Sequence, residues 1–287
     1  MQDSGSWSRA DAAAHLRAAA DRDDKYTRGV VGMRTGSPAY PGAAVLGVEA
    51  AWRAGAGMVR YVGEPEVGRA VLARRPETVL AAGRVQAWVI GSGTDPKHRS
   101  AQEERALRDL LGAETPVVVD AGALDLAAAA TAPVLVTPHA GEFARLRRML
   151  GLDPDAGADV DAVRRTASVL GAAVLRKGAE TIVATPGGWC ARIRSGTPWL
   201  STAGTGDVLA GVLGAIIAAA SEREGFDVET LGPLAATGAW VHGVAGRRAA
   251  GDPDGHGPGH PLVALEVAEA LPRVIGDLLG GGAGPRA

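Results

Sequence analysis

The chain has 287 residues, a formal net charge of −2 and a single cysteine, Cys190. These values suit one α/β domain and exclude both a disulfide-stapled scaffold and a basic nucleic-acid-binding surface. Hydrophobic residues make up 46% of the chain but aromatics only 4%, so the core has to be assembled from Ala, Val and Leu. Residues 1–24 read as a polar lead-in with helical stretches and without the apolar run of a secretion signal. The sequence "RGVVGMRTG" reads as a first strand entering a glycine loop, and "PGAAVLGVEAAWRAGAG" as a helix with a glycine stop. "MVRYVG" and "VQAWVIGSG" are further strands. "TPVVVDAG" and "APVLVTPHAGE" are short, uniformly apolar runs, the pattern of parallel strands covered on both faces. "EERALRDLLG" and "GEFARLRRMLG" have helical spacing. "AAVLRKGAETIVATPGGWCARI" holds three β-like runs with turns at 177–178 and 186–188, an antiparallel hairpin region at one edge of a sheet. From Gly206 onward the chain is helix-rich, with a Gly/Pro/His loop at 251–261 and a flexible tail at 279–287.

Alternating strands and helices imply a mostly parallel sheet with helices on both faces. No linker or repeat divides it, so 1–287 is read as a single domain. The apolar run at 208–220 is shorter than the ~20 residues needed to cross a bilayer. With one cysteine suited to a reducing compartment, the expectation is a cytoplasmic protein with no membrane and no nucleic-acid partner. Ligands of such sheets bind beyond the carboxyl ends of the strands, where residues 91–93, Asp120, His139 and Lys177 fall.

The segment "AGTGDVLAG" draws most attention. Gly204, Thr205 and Gly206 at a helix start present backbone N–H groups and the positive end of a helix dipole, an anion hole worth roughly 0.3–2 kcal/mol per charge. Asp207 there is either a base that takes a proton from a hydroxyl at a bound phosphate or a capping carboxylate. There is no G-x-x-x-x-G-K-[ST] and no G-x-G-x-x-G after the first strand, which excludes a P-loop and a Rossmann dinucleotide site. His139 is a loop histidine or a site residue; with Glu142 it has helical spacing for a metal pair but no third ligand follows. Lys177, one of three lysines, precedes Gly178 and suits a phosphate contact or a surface turn. Asp120 either helps hold Mg²⁺ through water or caps the next helix. Trp240 and His242 read as packing residues, His256 and His260 as exposed loop residues.

The segments "GSPAYPGAAVLGVEAAWRAGAGMV", "VTPHAGEFARL", "RKGAETIV" and "GTGDVLAG" occur in the order seen in ADP/ATP-dependent NAD(P)H-hydrate dehydratases of the ribokinase-like superfamily. The sequence resembles that family over residues 25–275. The resemblance implies a three-layer α/β sandwich with a mostly parallel central sheet. It also implies an enzyme that phosphorylates the ring hydroxyl of (S)-NADHX or NADPHX with ADP, in preference to ATP, and eliminates phosphate to restore NADH or NADPH. On this basis Asp207 is the base, and Gly206 lies at the nucleotide phosphate. Lys177, Gly178, Ala179, Glu180 and Thr181 lie along the adenine nucleotide. Ala43, Gly93, His139 and Asp207 line the hydrated-cofactor pocket, and Mg²⁺ accompanies the nucleotide. A homo-oligomer, a tetramer in many relatives, and a separate NAD(P)HX epimerase acting on the same metabolite are further implications. Two other readings stand beside it: a superfamily kinase that phosphorylates a vitamin precursor or other alcohol, and a nucleotide-sensing module without catalysis, against which an intact Asp207 argues.

Overall fold

The computed structural model describes residues 5–157, 159–222 and 225–280. In chain order the elements are α1 (Arg9–Ala14), β1 (Val30–Arg34), α2 (Pro41–Arg53), β2 (Met58–Tyr61), α3 (Pro65–Arg74), β3 (Ala87–Ile90), α4 (Ala101–Leu111), β4 (Val117–Val119), β5 (Val134–Val136), α5 (Ala140–Met149), α6 (Val160–Leu170), β6 (Ala173–Arg176), β7 (Thr181–Ala184), β8 (Cys190–Ile193), α7 (Thr205–Ala220), α8 (Leu231–Ala249) and α9 (Ala264–Leu279). A long 3₁₀ segment, Ala121–Ala129, follows β4. The eight strands form one sheet in the order β2-β1-β3-β4-β5-β6-β7-β8. All neighbours are parallel up to β6, and β7 and β8 are antiparallel additions at one edge.

Strand alternation splits the core in two. Val117 and Val119 face one side, packed with α4, α5 and α6. Val118 faces the other, where α2, α7, α8 and α9 lie. Helix α7 is apolar on nearly every face because it is buried on nearly every face. It crosses α2 at a pair of glycines: a Cβ on Gly211 would stand 2.2 Å from the Gly47 carbonyl oxygen. That close crossing fixes where the first turn of α7 emerges.

Two helices escape the sequence reading. Helix α3 starts with Pro65 at its first position, and α6 runs from the Asp159 cap to Gly171 in the left-handed conformation, both readable signals. The lead-in is also built into the fold. Trp7 packs edge-on against Trp189 with ring centroids 5.6 Å apart, and Ala12 is fully buried. The Trp7 N–H donates to the Arg192 carbonyl (2.8 Å) and the Arg192 N–H to the Gly5 carbonyl (3.2 Å), so this short segment lies along the outer edge of β8. Of the flexible tail expected at 279–287, Leu279 belongs to α9 and Gly280 ends that helix; residues 281–287 lie outside the described ones.

Candidate active site

The strand ends and the tip of α7 converge on one carboxylate pair and one ammonium. Asp120, at the end of β4, is buried and bound on both oxygens. Oδ1 accepts from Lys177 Nζ (2.8 Å) and Thr137 Oγ1 (2.7 Å), and Oδ2 accepts from Ser92 Oγ (3.0 Å). Burial alone would raise its pKa, but the Lys177 charge and these hydrogen bonds outweigh it and hold the carboxyl below its ordinary value. Lys177 titrates above the usual lysine range for the matching reason: Asp120, then Glu142 and Asp207, overcome the cost of burial. Ser92 and Thr137 were not singled out in the sequence; only the three-dimensional convergence of β3, β4 and β5 reveals them.

Asp207 stands in contrast. It occupies the third position of α7, behind Gly204, whose φ of +89° sets the left-handed turn into the helix. No side chain caps this helix, and the Asp207 carboxylate accepts no hydrogen bond from any described residue. The capping reading therefore falls. Burial first, and the nearby Asp120 charge second, push its pKa up to about 6, with Lys177 opposing. At neutral pH it is an ionised carboxylate without a hydrogen-bond partner, near its own pKa, the condition of an effective general base.

At the helix start read as an anion hole, Gly204, Thr205 and Gly206, the backbone N–H groups differ in their partners. The Thr205 N–H is turned to the Thr202 carbonyl (3.4 Å), and the Thr205 hydroxyl is held by the Leu200 and Thr202 carbonyls. The N–H groups of Gly206 and Asp207 have no acceptor among the described residues. A Cβ on Gly206 would lie 3.6 Å from Lys177 Nζ, so ammonium and helix tip address the same space. His242 supports this tip from α8. It is buried, burial drives its pKa down to about 4, and the neutral ring donates from Nε2 to the Thr205 carbonyl (2.9 Å). The reading of His242 as packing overlooks this bond.

Beside the tip lies a cleft of about 700 Å³ with His139, Lys177, Gly178, Ala179, Thr181, Thr205, Gly206 and His242 among its lining. Ile193, Leu200, Leu209 and Ala239 supply apolar wall. Glu180 is not part of that lining; it turns to Arg194 (3.2 Å) and Arg192 (3.8 Å) on β8. His139 caps α5, its Nδ1 accepting from the Gly141 and Glu142 N–H groups, while its ring stays largely exposed to the cleft. Ala43 and Gly93 are not among the residues lining this cleft but meet each other: Gly93 (φ +67°) packs so closely that a Cβ would stand 2.3 Å from Ala43 Cβ. His256 and His260 are exposed, as expected.

Among the described residues no three His, Cys, Asp or Glu side chains converge as a metal centre. Asp120 neither caps the segment that follows nor keeps an oxygen free of protein donors. The side chains here do not fit a resident metal ion. No described helix is long and apolar enough to cross a membrane.

A family model described as NAD(P)H-hydrate dehydratase matches residues 31–258. The chain belongs to the NAD(P)H-hydrate dehydratase family. Its architecture is the ribokinase-like one. It is 47% identical over 221 residues to a bifunctional NAD(P)H-hydrate repair enzyme of Mycobacterium tuberculosis, covering 72% of this chain and 45% of that protein. The chain thus spans about 45% of the length of the bifunctional relatives it matches. An ADP-dependent (S)-NAD(P)H-hydrate dehydratase of Neisseria meningitidis is 32% identical, with 80% of each chain covered. Among solved structures, an ADP/ATP-dependent NAD(P)H-hydrate dehydratase from Bacillus subtilis, co-crystallised with ATP/Mg²⁺, superposes with a TM-score of 0.80 at 25% identity, covering 97% of this chain and all of that one.

Proposed function

We propose that this chain dehydrates the S form of NADHX and NADPHX at the expense of ADP, in preference to ATP. The observation that carries the reading is Asp207: a half-buried carboxylate without a hydrogen-bond partner, facing the point where Lys177 and two open N–H groups address an anion. Asp207 takes the proton of the ring hydroxyl as its oxygen attacks the terminal phosphorus of the nucleotide, which leaves as AMP from ADP or as ADP from ATP. The C–O bond then breaks with departure of phosphate, and the neighbouring ring carbon gives up a proton to water to restore the double bond. Hydroxide is a poor leaving group and phosphate a good one, which is why a nucleotide is consumed. Lys177 and the Gly206 and Asp207 N–H groups meet the charge that builds on the transferred phosphoryl oxygens, and Asp120 keeps Lys177 charged and aimed. Gly178, Ala179 and Thr181 border the nucleotide, whereas Glu180 braces the loop through β8. Ala43, Gly93 and His139 border the hydrated ring. Any Mg²⁺ would come as part of the nucleotide substrate and would supply charge neutralisation at its phosphates, since no cluster of described side chains holds it.

The test is incubation with prepared NADHX, Mg²⁺ and ADP or ATP, following the return of NADH absorbance. Nucleotide-dependent recovery that is lost in Asp207→Ala supports the reading, and the faster donor identifies the nucleotide. Nucleotide binding with no recovery overturns it in favour of a kinase acting on another alcohol.

A further inference from the structure

A second cleft, of about 350 Å³, lies over the loops after β3 and β4 and along one face of α5 from Glu142 to Met149. Its volume falls within the range of small-molecule sites, ~300–1,000 Å³. It belongs to the same loops as the site above: Thr94 follows Gly93, Ala121 follows Asp120, and Glu142, on its wall, accepts the His139 N–H at 2.9 Å.

Charge bookkeeping sets Arg145 apart. The carboxylates on this rim are already matched: Asp95 by the Lys97 N–H and His98, Asp125 by Arg99, Glu142 by His139. Arg145 is exposed and has no ion pair or hydrogen bond among the described residues. Its guanidinium folds back over the helix start, 4.0 Å from where a Gly141 Cβ would be, which places it on the His139 side of the cleft. The far wall is apolar, with Leu124 buried and Met149 57% exposed. Ala121, which also lines the cleft, is the sole non-glycine residue with positive φ (+45°) among those described, a strained conformation of the kind that concentrates at functional sites.

We propose that this cleft takes the adenylate half of the dinucleotide substrate, with Arg145 pairing a phosphate of the pyrophosphate bridge and Met149 and Leu124 against the adenine. The proposal rests on the reading of a hydrated nicotinamide dinucleotide as substrate. A bridge contact, unlike a 2′-phosphate contact, serves NADHX and NADPHX alike. The guanidinium lies beside Gly141, whose Cβ would also stand 3.2 Å from the His139 ring, so it sits at the end of the cleft toward the proposed ring pocket.

The experiment titrates NADH, NADPH and reduced nicotinamide mononucleotide into the protein, with the nucleotide cleft saturated by a non-hydrolysable ATP analogue. Wild type, R145Q, R145K and M149A are compared, each checked by circular dichroism. R145Q should weaken NADH and NADPH equally, by about tenfold, R145K by less, and M149A by a few fold. The mononucleotide, which lacks the adenylate half, should bind R145Q as it binds wild type. Unchanged dinucleotide affinity in R145Q overturns the proposal, as does equal weakening of the mononucleotide. Loss confined to NADPH overturns the bridge assignment. Arg145-dependent dinucleotide binding in a protein that turns over no NADHX defeats the dehydratase reading and leaves the cleft standing. Turnover with Arg145-independent binding defeats the cleft alone, and no dinucleotide binding by wild type defeats it as well.

Discussion

At Asp207 burial and a neighbouring negative charge oppose ionisation, while the chemistry requires it. With its pKa near 6, kcat/KM should rise with unit slope through about pH 6 and level off above pH 7; a flat profile from pH 5 to 8 would remove Asp207 as the base. The same shift has a cost in stability. The folded chain holds the Asp207 proton between about pH 4 and 6, where the unfolded chain has already lost it, so the contribution of this group falls as pH climbs through that window. Asp207→Asn should therefore abolish turnover yet raise Tm at pH 7.5 by about 2–5 °C, a gain that disappears near pH 4. Lys177 poses the opposite case. Lys177→Met strands the buried Asp120 carboxylate and should cost about 3–5 kcal/mol in denaturant unfolding. Adding Asp120→Asn should return much of that loss, and independent, additive effects would show that the pair does not act as a unit.

Helix α7 holds Asp207 in place through its crossing with α2, and glycine makes that crossing possible. Gly211→Ala brings a methyl group to 2.2 Å from the Gly47 carbonyl oxygen, so the helices have to part. We expect destabilisation by about 1–3 kcal/mol, with turnover falling more than the folded fraction at assay temperature because Asp207 moves with the helix. Turnover that tracks the folded fraction would show the crossing to be purely structural. Much at this scale was legible in the residues. The uniform valine strands announced a sheet covered on both faces, and the glycine-flanked Asp207 announced the helix tip. What stayed hidden depends on register. Glu180 sits between Ala179 and Thr181, which line the cleft, yet its own side chain turns to Arg194 on β8; no spacing in the sequence says so. Asp120 and Lys177 meet from positions 57 residues apart, and Ser92 and Thr137 join them only because β3, β4 and β5 end side by side.

Across the molecule, the helical layer on the α7 side is tied together by one buried acid. Glu49 of α2 has no exposed side-chain surface and pairs with Arg53, Arg74 and Arg75, joining α2 to the end of α3. Burial works against its charge, but the three guanidinium groups prevail and lower its pKa from 4.5 to about 2. The folded state therefore keeps a charge that the unfolded chain neutralises on acidification. This stability is complete above about pH 5 and is lost as pH falls from 4.5 through 2, roughly 3 kcal/mol in all. Glu49→Gln should flatten the acid limb of the stability profile while leaving the pH dependence of turnover near 6 unchanged. An acid limb of the same steepness in the variant would place the acid sensitivity elsewhere.

The segment that lies along β8 has a consequence in time. Gly5 and Trp7 leave the ribosome before Arg192, the residue they bond, which follows on the order of ten seconds or more later. Through that interval the nascent protein carries an apolar tryptophan without its partner. Once β8 is made, its edge stays open until the Gly5–Trp7 segment docks to close it. The closing contact is among the most distant in sequence, so it belongs to the late, slow part of folding. The period of greatest risk for edge-to-edge association between nascent copies is then the short span between the emergence of β8 and the docking of Trp7.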